Sequence, residues 1–161
     1  MGEARLASAR LGVQPLISKL SKALGEKRLA HSVRVMETAR ELALIYGADA
    51  HKAEVAGLLH DSARDMADGE LLALCPRLGI VPTDGEARMP KLLHGPVGAK
   101  LLRDVYGVRC AEIEDAVCWH TTGKANMALL TKIVFAADAI EPGRVYEGVE
   151  AARDLAFGRR G

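Results

Sequence analysis

The sequence predicts an all-α fold. Hydrophobic residues make up 49% of the 161 residues and aromatic residues only 4%, so the core is expected to be aliphatic. Apolar side chains recur at helical intervals of three and four residues, and no segment shows the alternation with period two that indicates a half-buried strand. A chain of this length fits one domain with a sizeable core.

Glycine, proline and aspartate mark where the predicted helices begin and end. Gly47 and Gly79 suit C-terminal caps, Asp49 suits an N-cap and Pro96 suits a first helical turn. Residues 80–90, with two prolines and mixed charge, are expected to form a mobile loop. The predicted helices cover residues 16–24, 26–46, 50–61, 70–78, 94–106, 111–120, 127–141 and 145–157.

The helical pattern places one domain at residues 16–157, between an N-terminal tail at 1–15 and a C-terminal tail at 158–161. A net charge of +1 gives no bulk attraction to nucleic acid or to an anionic membrane. No apolar run reaches the length of a membrane span or a signal-peptide core. Three cysteines without a CxxC pair are typical of free thiols in a reducing cytoplasm.

The most informative segment, residues 55–61, is a run of small and apolar residues that ends in His60 and Asp61. The run predicts a buried helix, which places both polar side chains where water is scarce. A buried carboxylate without a partner costs several kcal/mol, so a cation is expected beside Asp61. A metal ion is the natural candidate next to a histidine. The alternative is a helix that ends in polar residues facing solvent.

Further polar residues fall on apolar helix faces or beside helix starts. His31 lies four residues before Val35, His120 and Asp138 continue apolar stripes, and His94 precedes a predicted helix. One such histidine is usually a core residue hydrogen-bonded to the backbone, but this many favour a single shared metal pocket. Nitrogen and carboxylate ligands together suit Fe, Mn or Zn better than Cu(I) or Ca.

The order His31, His60-Asp61, Asp138 resembles the H…HD…D pattern of HD-superfamily phosphohydrolases. The wider match is to YqeK-type members, which are similar to bacterial symmetrical bis(5′-nucleosyl)-tetraphosphatases, and it extends from about residue 16 to 157. The matching segments are residues 27–35, 56–61, 93–99, 120–123, 126–127 and 137–144.

This resemblance implies a single HD-domain helical bundle with a metal site in its core. It implies an iron-dependent enzyme that cuts diadenosine tetraphosphate symmetrically into two ADP, and it suggests a homodimer. One or two iron ions are expected, with Mn or another divalent metal as a substitute. The implied ligands are His31, His60, Asp61 and Asp138, while His94 and His120 match positions that hold a second ion or touch substrate phosphate.

Arginines near these residues are candidates for phosphate binding, because the planar guanidinium binds two oxygens at once. Arg28 lies one turn before His31, Arg144 follows the Asp138 helix, and the helix start at His94 offers backbone N–H groups. The predicted substrate-binding residues are Arg28, His31, Arg64, His94, Gly95, His120, Thr121, Thr122 and Arg144. Alternatively, Arg28 and Arg64 are ordinary surface charges, and the two threonines only end a helix.

The expected reaction is phosphoanhydride hydrolysis by a metal-activated hydroxide, with His60 and Asp61 as the catalytic pair that holds the ion. A bound metal lowers the pKa of its water and polarises the phosphoryl oxygen. Two other functions stay open at this point. One is an HD phosphohydrolase acting on another nucleotide, such as a deoxynucleotide or an alarmone. The other is a non-catalytic, metal-stabilised module that binds a nucleotide or a partner.

Overall fold

The computed structural model describes residues 12–158, and every regular element in that range is helical, which confirms the all-α prediction. A 3-10 turn at Pro90–Leu93 precedes α6 and a π-helical turn at Leu102–Tyr106 follows it. The helices are α1 (Val13–Leu20), α2 (Glu26–Tyr46), α3 (Ala50–Leu59), α4 (Asp68–Leu78), α5 (Asp84–Arg88), α6 (His94–Leu101), α7 (Ala111–Trp119), α8 (Leu129–Ile140) and α9 (Val149–Ala156).

The centre of the molecule is a bundle of α2, α3, α7 and α8, with α6 packed against α7. Its core is aliphatic, as predicted, and includes the fully buried Val35, Leu58 and Val134. A smaller apolar cluster under α4 and α6 contains Leu71 and Val97. Polar side chains described below are enclosed between these two cores.

Local signals explain several helix ends. Gly47 and Gly79 adopt the left-handed conformation expected of C-caps, with φ of 75° and 67°. The Asp49 side chain accepts a hydrogen bond from the Lys52 backbone N–H at 3.0 Å, which confirms the N-cap. Six predicted helices differ from the observed ones by two or more residues at an end. Helix α1 spans residues 13–20 rather than 16–24, α3 ends at 59 rather than 61, α4 begins at 68 rather than 70, α6 ends at 101 rather than 106, α8 begins at 129 rather than 127, and α9 begins at 149 rather than 145.

The segment 80–90 is not the uninterrupted loop that its prolines predicted. It contains the short helix α5, whose start is fixed by a capping box. The Thr83 hydroxyl accepts from the Glu86 backbone N–H at 3.3 Å, and the Glu86 carboxylate accepts from the Thr83 N–H at 2.8 Å. These two bonds satisfy N–H groups at the helix start, and Pro90 then begins the 3-10 turn that leads into α6.

Most of the predicted N-terminal tail and the last three residues lie outside the described range, so the domain limits at 16 and 157 stay a prediction. Cys75, Cys110 and Cys118 are free thiols, in agreement with the sequence analysis. Within residues 12–158, none of the helices has both the length and the apolar character that a membrane crossing requires.

Two glycines allow the helices that carry site residues to approach their neighbours closely. A Cβ on Gly57 of α3 would lie 3.0 Å from the Met36 Cα and the Val35 carbonyl oxygen of α2. A Cβ on Gly95 of α6 would lie 2.7 Å from the carbonyl oxygen of Cys118. Gly57 and Gly95 therefore set the spacing of α3 on α2 and of α6 on α7.

Gly57→Ala should lower the free energy of unfolding by about 1–3 kcal/mol, because the added methyl group overpacks a backbone contact. Gly69→Ala is the matched control, since a Cβ at Gly69 of α4 meets no atom within 4 Å. That change should stay within about 0.5 kcal/mol of the parent. Urea denaturation measures both, and equal stability of the two variants would contradict the packing argument.

Candidate metal centre

The bundle encloses four histidines that the sequence placed on different helices. His31 lies within α2, His60 directly follows α3, His94 begins α6 and His120 directly follows α7. All four are buried, with at most 6% of the residue exposed. The two predicted aspartates join them: Asp61 follows His60 and is 4% exposed, and Asp138 lies on α8. The structure thus brings all six predicted ligands together.

Each imidazole has its Nδ1 committed to an acceptor on the side away from the cluster. Because carbonyl and carboxylate oxygens only accept, each Nδ1 carries a proton, and in the neutral imidazole each Nε2 then keeps a lone pair. The four acceptors are the Gly57 carbonyl for His60 at 2.7 Å, the Lys91 carbonyl for His94 at 2.5 Å, the Val117 carbonyl for His120 at 2.7 Å and the Glu141 carboxylate for His31 at 3.1 Å.

The four Nε2 atoms point toward one another in two pairs. His31 and His60 Nε2 are 3.3 Å apart, and His94 and His120 Nε2 are 3.1 Å apart. Asp138 Oδ1 lies 3.1 Å from the His31 Nε2. Neutral imidazoles in this tautomer cannot hydrogen-bond through two Nε2 lone pairs, so the arrangement calls for a cation between them.

Asp61 connects the two pairs through its separate carboxylate oxygens. Its Oδ2 lies 3.5 Å from His60 Nε2, while its Oδ1 lies 3.2 Å from His94 Nε2 and 3.5 Å from His120 Nε2. Two groups of residues could each hold an ion: His31, His60 and Asp138 form one, and His60, Asp61 and His120 form the other. Within each group, the ligand atoms all lie within 4.8 Å of one another. Mixed imidazole and carboxylate donors fit a divalent transition metal.

The electrostatics of the cluster keep its carboxylates ionised. Burial alone would raise the pKa of Asp61, but its contacts with His60, His120 and His94 outweigh burial and hold that pKa well below its usual range. The pKa of Asp138 is also lowered, because contacts with His31, His60 and Arg144 outweigh burial.

The surroundings of the cluster shift the pKa values of His120 and His60 in opposite directions. Burial, with the neighbouring His60 and His94, lowers the pKa of His120 and so favours its neutral, metal-binding form. Burial also acts to lower the pKa of His60, but Asp61 and Asp138 outweigh it and raise that pKa. Protons therefore compete with a metal ion for His60.

A cavity of about 300 Å³ opens above the cluster, and its rim carries the positive side chains of Arg28, Arg64, Lys91 and Arg144. Arg28 Nη1 donates to Asp61 Oδ2 at 2.9 Å, and Arg144 Nη2 donates to Asp138 Oδ1 at 2.5 Å. A guanidinium has five N–H donors, so both arginines keep donors for a ligand in the cavity. The full lining consists of Arg28, Asp61, Arg64, Met89, Lys91, Leu92, His94, His120, Thr121, Asp138 and Arg144.

The remaining predicted substrate-binding residues lie in different places. Thr121 lines the cavity, and its hydroxyl lies 2.9 Å from His120 Nε2 and 3.3 Å from His94 Nε2. Thr122 is exposed and donates to the Gly123 carbonyl. Gly95 is buried at the α6–α7 crossing, so neither it nor Thr122 is part of the described cavity lining.

Sequence reasoning missed Glu141, whose carboxylate accepts from His31 and from Arg34 Nε, the latter at 2.5 Å. Burial would raise the pKa of Glu141, but Arg34, Gly143 and His31 lower it. Its position three residues after Asp138 on the same helical face could have signalled this role.

The sequence also carried no signal for Lys91, whose ammonium group donates to the Met66 carbonyl at 2.8 Å and the Arg64 carbonyl at 3.3 Å. These bonds hold the 3-10 turn against the chain that follows Asp61. Met89 and Leu92, from the same segment, add apolar surface to the cavity.

An all-helical bundle with buried, converging His and Asp side chains defines a metal-dependent hydrolase of the HD type. The HD domain model matches residues 28–143, which include all six predicted ligands. The chain belongs to the HD-domain family, and within it to the group of symmetrical bis(5′-nucleosyl)-tetraphosphatases. Membership of the HD family implies a divalent metal ion.

Three comparisons carry this assignment. The chain is 43% identical over 133 residues to the symmetrical bis(5′-nucleosyl)-tetraphosphatase of Halalkalibacterium halodurans, covering 83% of this chain and 71% of that protein. The Bacillus subtilis protein of the same name is 42% identical with the same coverage. A Clostridium acetobutylicum crystal structure, described as a predicted HD superfamily hydrolase involved in NAD metabolism, matches with a TM-score of 0.88 and 40% identity, covering 92% of this chain and 78% of that one.

Addition of Mn²⁺ to the metal-free protein should raise its melting temperature, because an ion relieves repulsion among the converging lone pairs and carboxylates. At a free metal concentration 100 times the Kd, the stabilisation should be about 2.7 kcal/mol. Asp61→Ala should remove the effect, whereas Asp154→Ala, an exposed residue of α9, should keep it. Calorimetry with and without a chelator measures the shift. An unchanged melting temperature of the parent protein after Mn²⁺ addition would argue against a metal centre.

Proposed function

We propose that this protein is an enzyme that hydrolyses diadenosine tetraphosphate symmetrically to two ADP. The observation that carries the proposal is the cavity itself, whose floor is the His/Asp cluster and whose rim is cationic. A polyphosphate needs positive charge along its length and charge neutralisation at the phosphorus under attack. The relatives from H. halodurans and B. subtilis carry the name of this activity.

His31, His60, Asp61 and Asp138 are the proposed ligands of one ion, and His94 and His120 share Asp61 toward a second. Iron is the proposed physiological metal, with Mn²⁺ as a functional substitute, since both accept imidazole and carboxylate together. When bound, such an ion lowers the pKa of a water molecule to near neutrality and withdraws charge from a phosphoryl oxygen.

The chain's own residues prepare this site before substrate arrives. The carbonyl acceptors of Gly57 and Val117 fix the ring planes of His60 and His120 and select the tautomer with a free Nε2. Asp61 is held by Arg28 at 2.9 Å, so its two oxygens keep their directions toward the two histidine pairs. The ionised Asp61 and Asp138 offset the positive charge of bound metal.

The rim cations bind the phosphates and decide which bond is cut. Arg28 and Arg144 stand beside the two aspartates, so a phosphate bound to both lies directly over the cluster. We place the second of the four phosphates of diadenosine tetraphosphate at this position. The attacking water loses a proton to solvent and its oxygen forms a bond to that phosphorus. The bond from phosphorus to the oxygen bridging to the third phosphate breaks, and the electron pair leaves with ADP. Both halves are then ADP.

The cavity volume of about 300 Å³ lies at the lower end for small-molecule sites. One nucleoside diphosphate half therefore occupies the cavity, and the other half extends over its open rim. Met89 and Leu92 offer apolar contact to the enclosed half, and the Thr121 hydroxyl is placed to bond a phosphate oxygen.

We extend the proposal to a cytoplasmic homodimer. Free Cys75, Cys110 and Cys118 suit a reducing compartment. Exposed apolar side chains at the end of α2 and on α9 supply surface for a second copy: Leu44 is 61% and Leu155 80% exposed.

The proposed reaction predicts that ADP is the sole nucleotide product from diadenosine tetraphosphate when the protein is loaded with Fe²⁺ or Mn²⁺. Asp61→Ala should abolish turnover and metal retention together, because both proposed ions lose a ligand. Chromatography of products and elemental analysis of the protein measure the two effects. Formation of ATP and AMP would contradict the symmetrical cut, and a metal-loaded protein without any nucleotide product would favour the binding-module function.

Arg144→Ala should weaken the hold on phosphate by about 1.5–3 kcal/mol, the cost of a lost charged hydrogen bond. This corresponds to a fall in kcat/KM of about 10- to 150-fold. The metal content should stay unchanged, since Arg144 contacts the carboxylate of Asp138 and is not itself a ligand. Arg77→Ala, at an exposed arginine of α4, is the control and should match the parent. Unchanged kinetics for Arg144→Ala would remove this residue from the phosphate site.

A further inference from the structure

We infer that Glu141 is a positioning residue of the metal centre. It fixes the orientation of the His31 ring and makes the Nε2 atom of His31 a stronger metal ligand. The inference rests on the proposed metal site. Three of the four histidines are oriented by backbone carbonyls, and His31 alone donates its Nδ1 proton to a carboxylate, Glu141 Oε1 at 3.1 Å.

Glu141 is itself held with little freedom. Its side chain is 2% exposed, and its Oε2 accepts from Arg34 Nε and from the Gly143 N–H, both at 2.5 Å. A buried carboxylate is expensive to maintain and does not by itself stabilise a fold over an apolar replacement. A buried carboxylate in direct contact with a proposed ligand therefore favours a role in the site.

The spacing of residues on two helices builds this contact. His31 and Arg34 stand one turn apart on α2, and Asp138 and Glu141 stand one turn apart at the end of α8. His31 consequently lies between two carboxylates, Asp138 of α8 at 3.1 Å from Nε2 and Glu141, which directly follows α8, at 3.1 Å from Nδ1.

The turn after α8 is adapted to the same arrangement. A Cβ on Gly143 would lie 2.6 Å from the Nε and Nη2 atoms of Arg34. Glycine at this position leaves room for the Arg34 guanidinium where it holds Glu141, and a larger residue would displace that guanidinium.

A carboxylate that accepts the Nδ1 proton has two effects on the imidazole. It fixes the ring orientation, and it raises the electron density and therefore the basicity of Nε2. A neutral amide in its place supplies no negative charge, and its NH₂ group faces either His31 Nδ1–H or Arg34, which are both donors. Loss of such a partner typically weakens metal binding by about 10- to 100-fold.

The test is the Kd for Mn²⁺ of metal-free protein at 25 °C, measured by competition with a chelator. Glu141→Gln should raise the Kd by about 10- to 100-fold. Glu54→Gln is the matched control, because Glu54 pairs with Arg40 across α2 and α3 at 3.1 Å and does not line the cavity. Its Kd should equal that of the parent. A purely structural role for Glu141 would lower the melting temperature of the variant but leave the Kd of the folded protein unchanged, and that result would overturn the inference.

A second variant tests the inference in case Glu141→Gln does not fold. The double change Arg34→Met with Glu141→Met replaces the buried ion pair by apolar side chains, an exchange that proteins often tolerate. It should show the same loss of Mn²⁺ affinity, and a parental Kd in it would also overturn the inference. Failure of the parent to bind Mn²⁺ would be a different outcome, since it would overturn the proposed metal centre together with the role of Glu141.

Discussion

The commitment of four Nδ1 protons to fixed acceptors is the constraint on which the site depends. Once each Nδ1 donates outward, four lone pairs and two carboxylates must share one small volume. For three histidines the acceptor is the carbonyl three residues earlier, from Gly57, Lys91 and Val117. His60 and His120 also close the C-terminal ends of α3 and α7, where carbonyls lack helical partners and the helix dipole is negative. Helix ends thus both orient the ligands and favour a cation.

The sequence was sufficient to find the proposed ligands because each interrupts an apolar pattern or adjoins one. His31, His120 and Asp138 lie on helix faces that are otherwise apolar, and burial on such a face is a local property readable from spacing. The C-caps at Gly47 and Gly79 were readable for the same reason. Helix α5 was missed because Pro82 and Pro90, which flank it, outweighed the capping box that starts it.

What escaped sequence reasoning depends on contacts between distant parts of the chain. Glu141 meets His31 across 110 positions, and Lys91 bonds a carbonyl 25 positions away, so the local sequence identifies neither partner. The spacing from Asp138 marks Glu141 only as a candidate. Gly95 illustrates the converse problem. A glycine beside a histidine at a helix start suggests phosphate binding, but the structure shows it at a helix crossing, where a Cβ would strike the Cys118 carbonyl.

The segment that carries Lys91 both lines the cavity and orients a proposed ligand. The Lys91 carbonyl accepts from His94 and orients that ring, and the Lys91 ammonium group donates to the Met66 carbonyl in the chain after Asp61. Met89 and Leu92, from the same segment, line the cavity. A substitution that reshapes this wall to admit another nucleoside would therefore also tilt a proposed ligand. Evolvability of substrate range is constrained accordingly, because this wall cannot change its shape without moving His94.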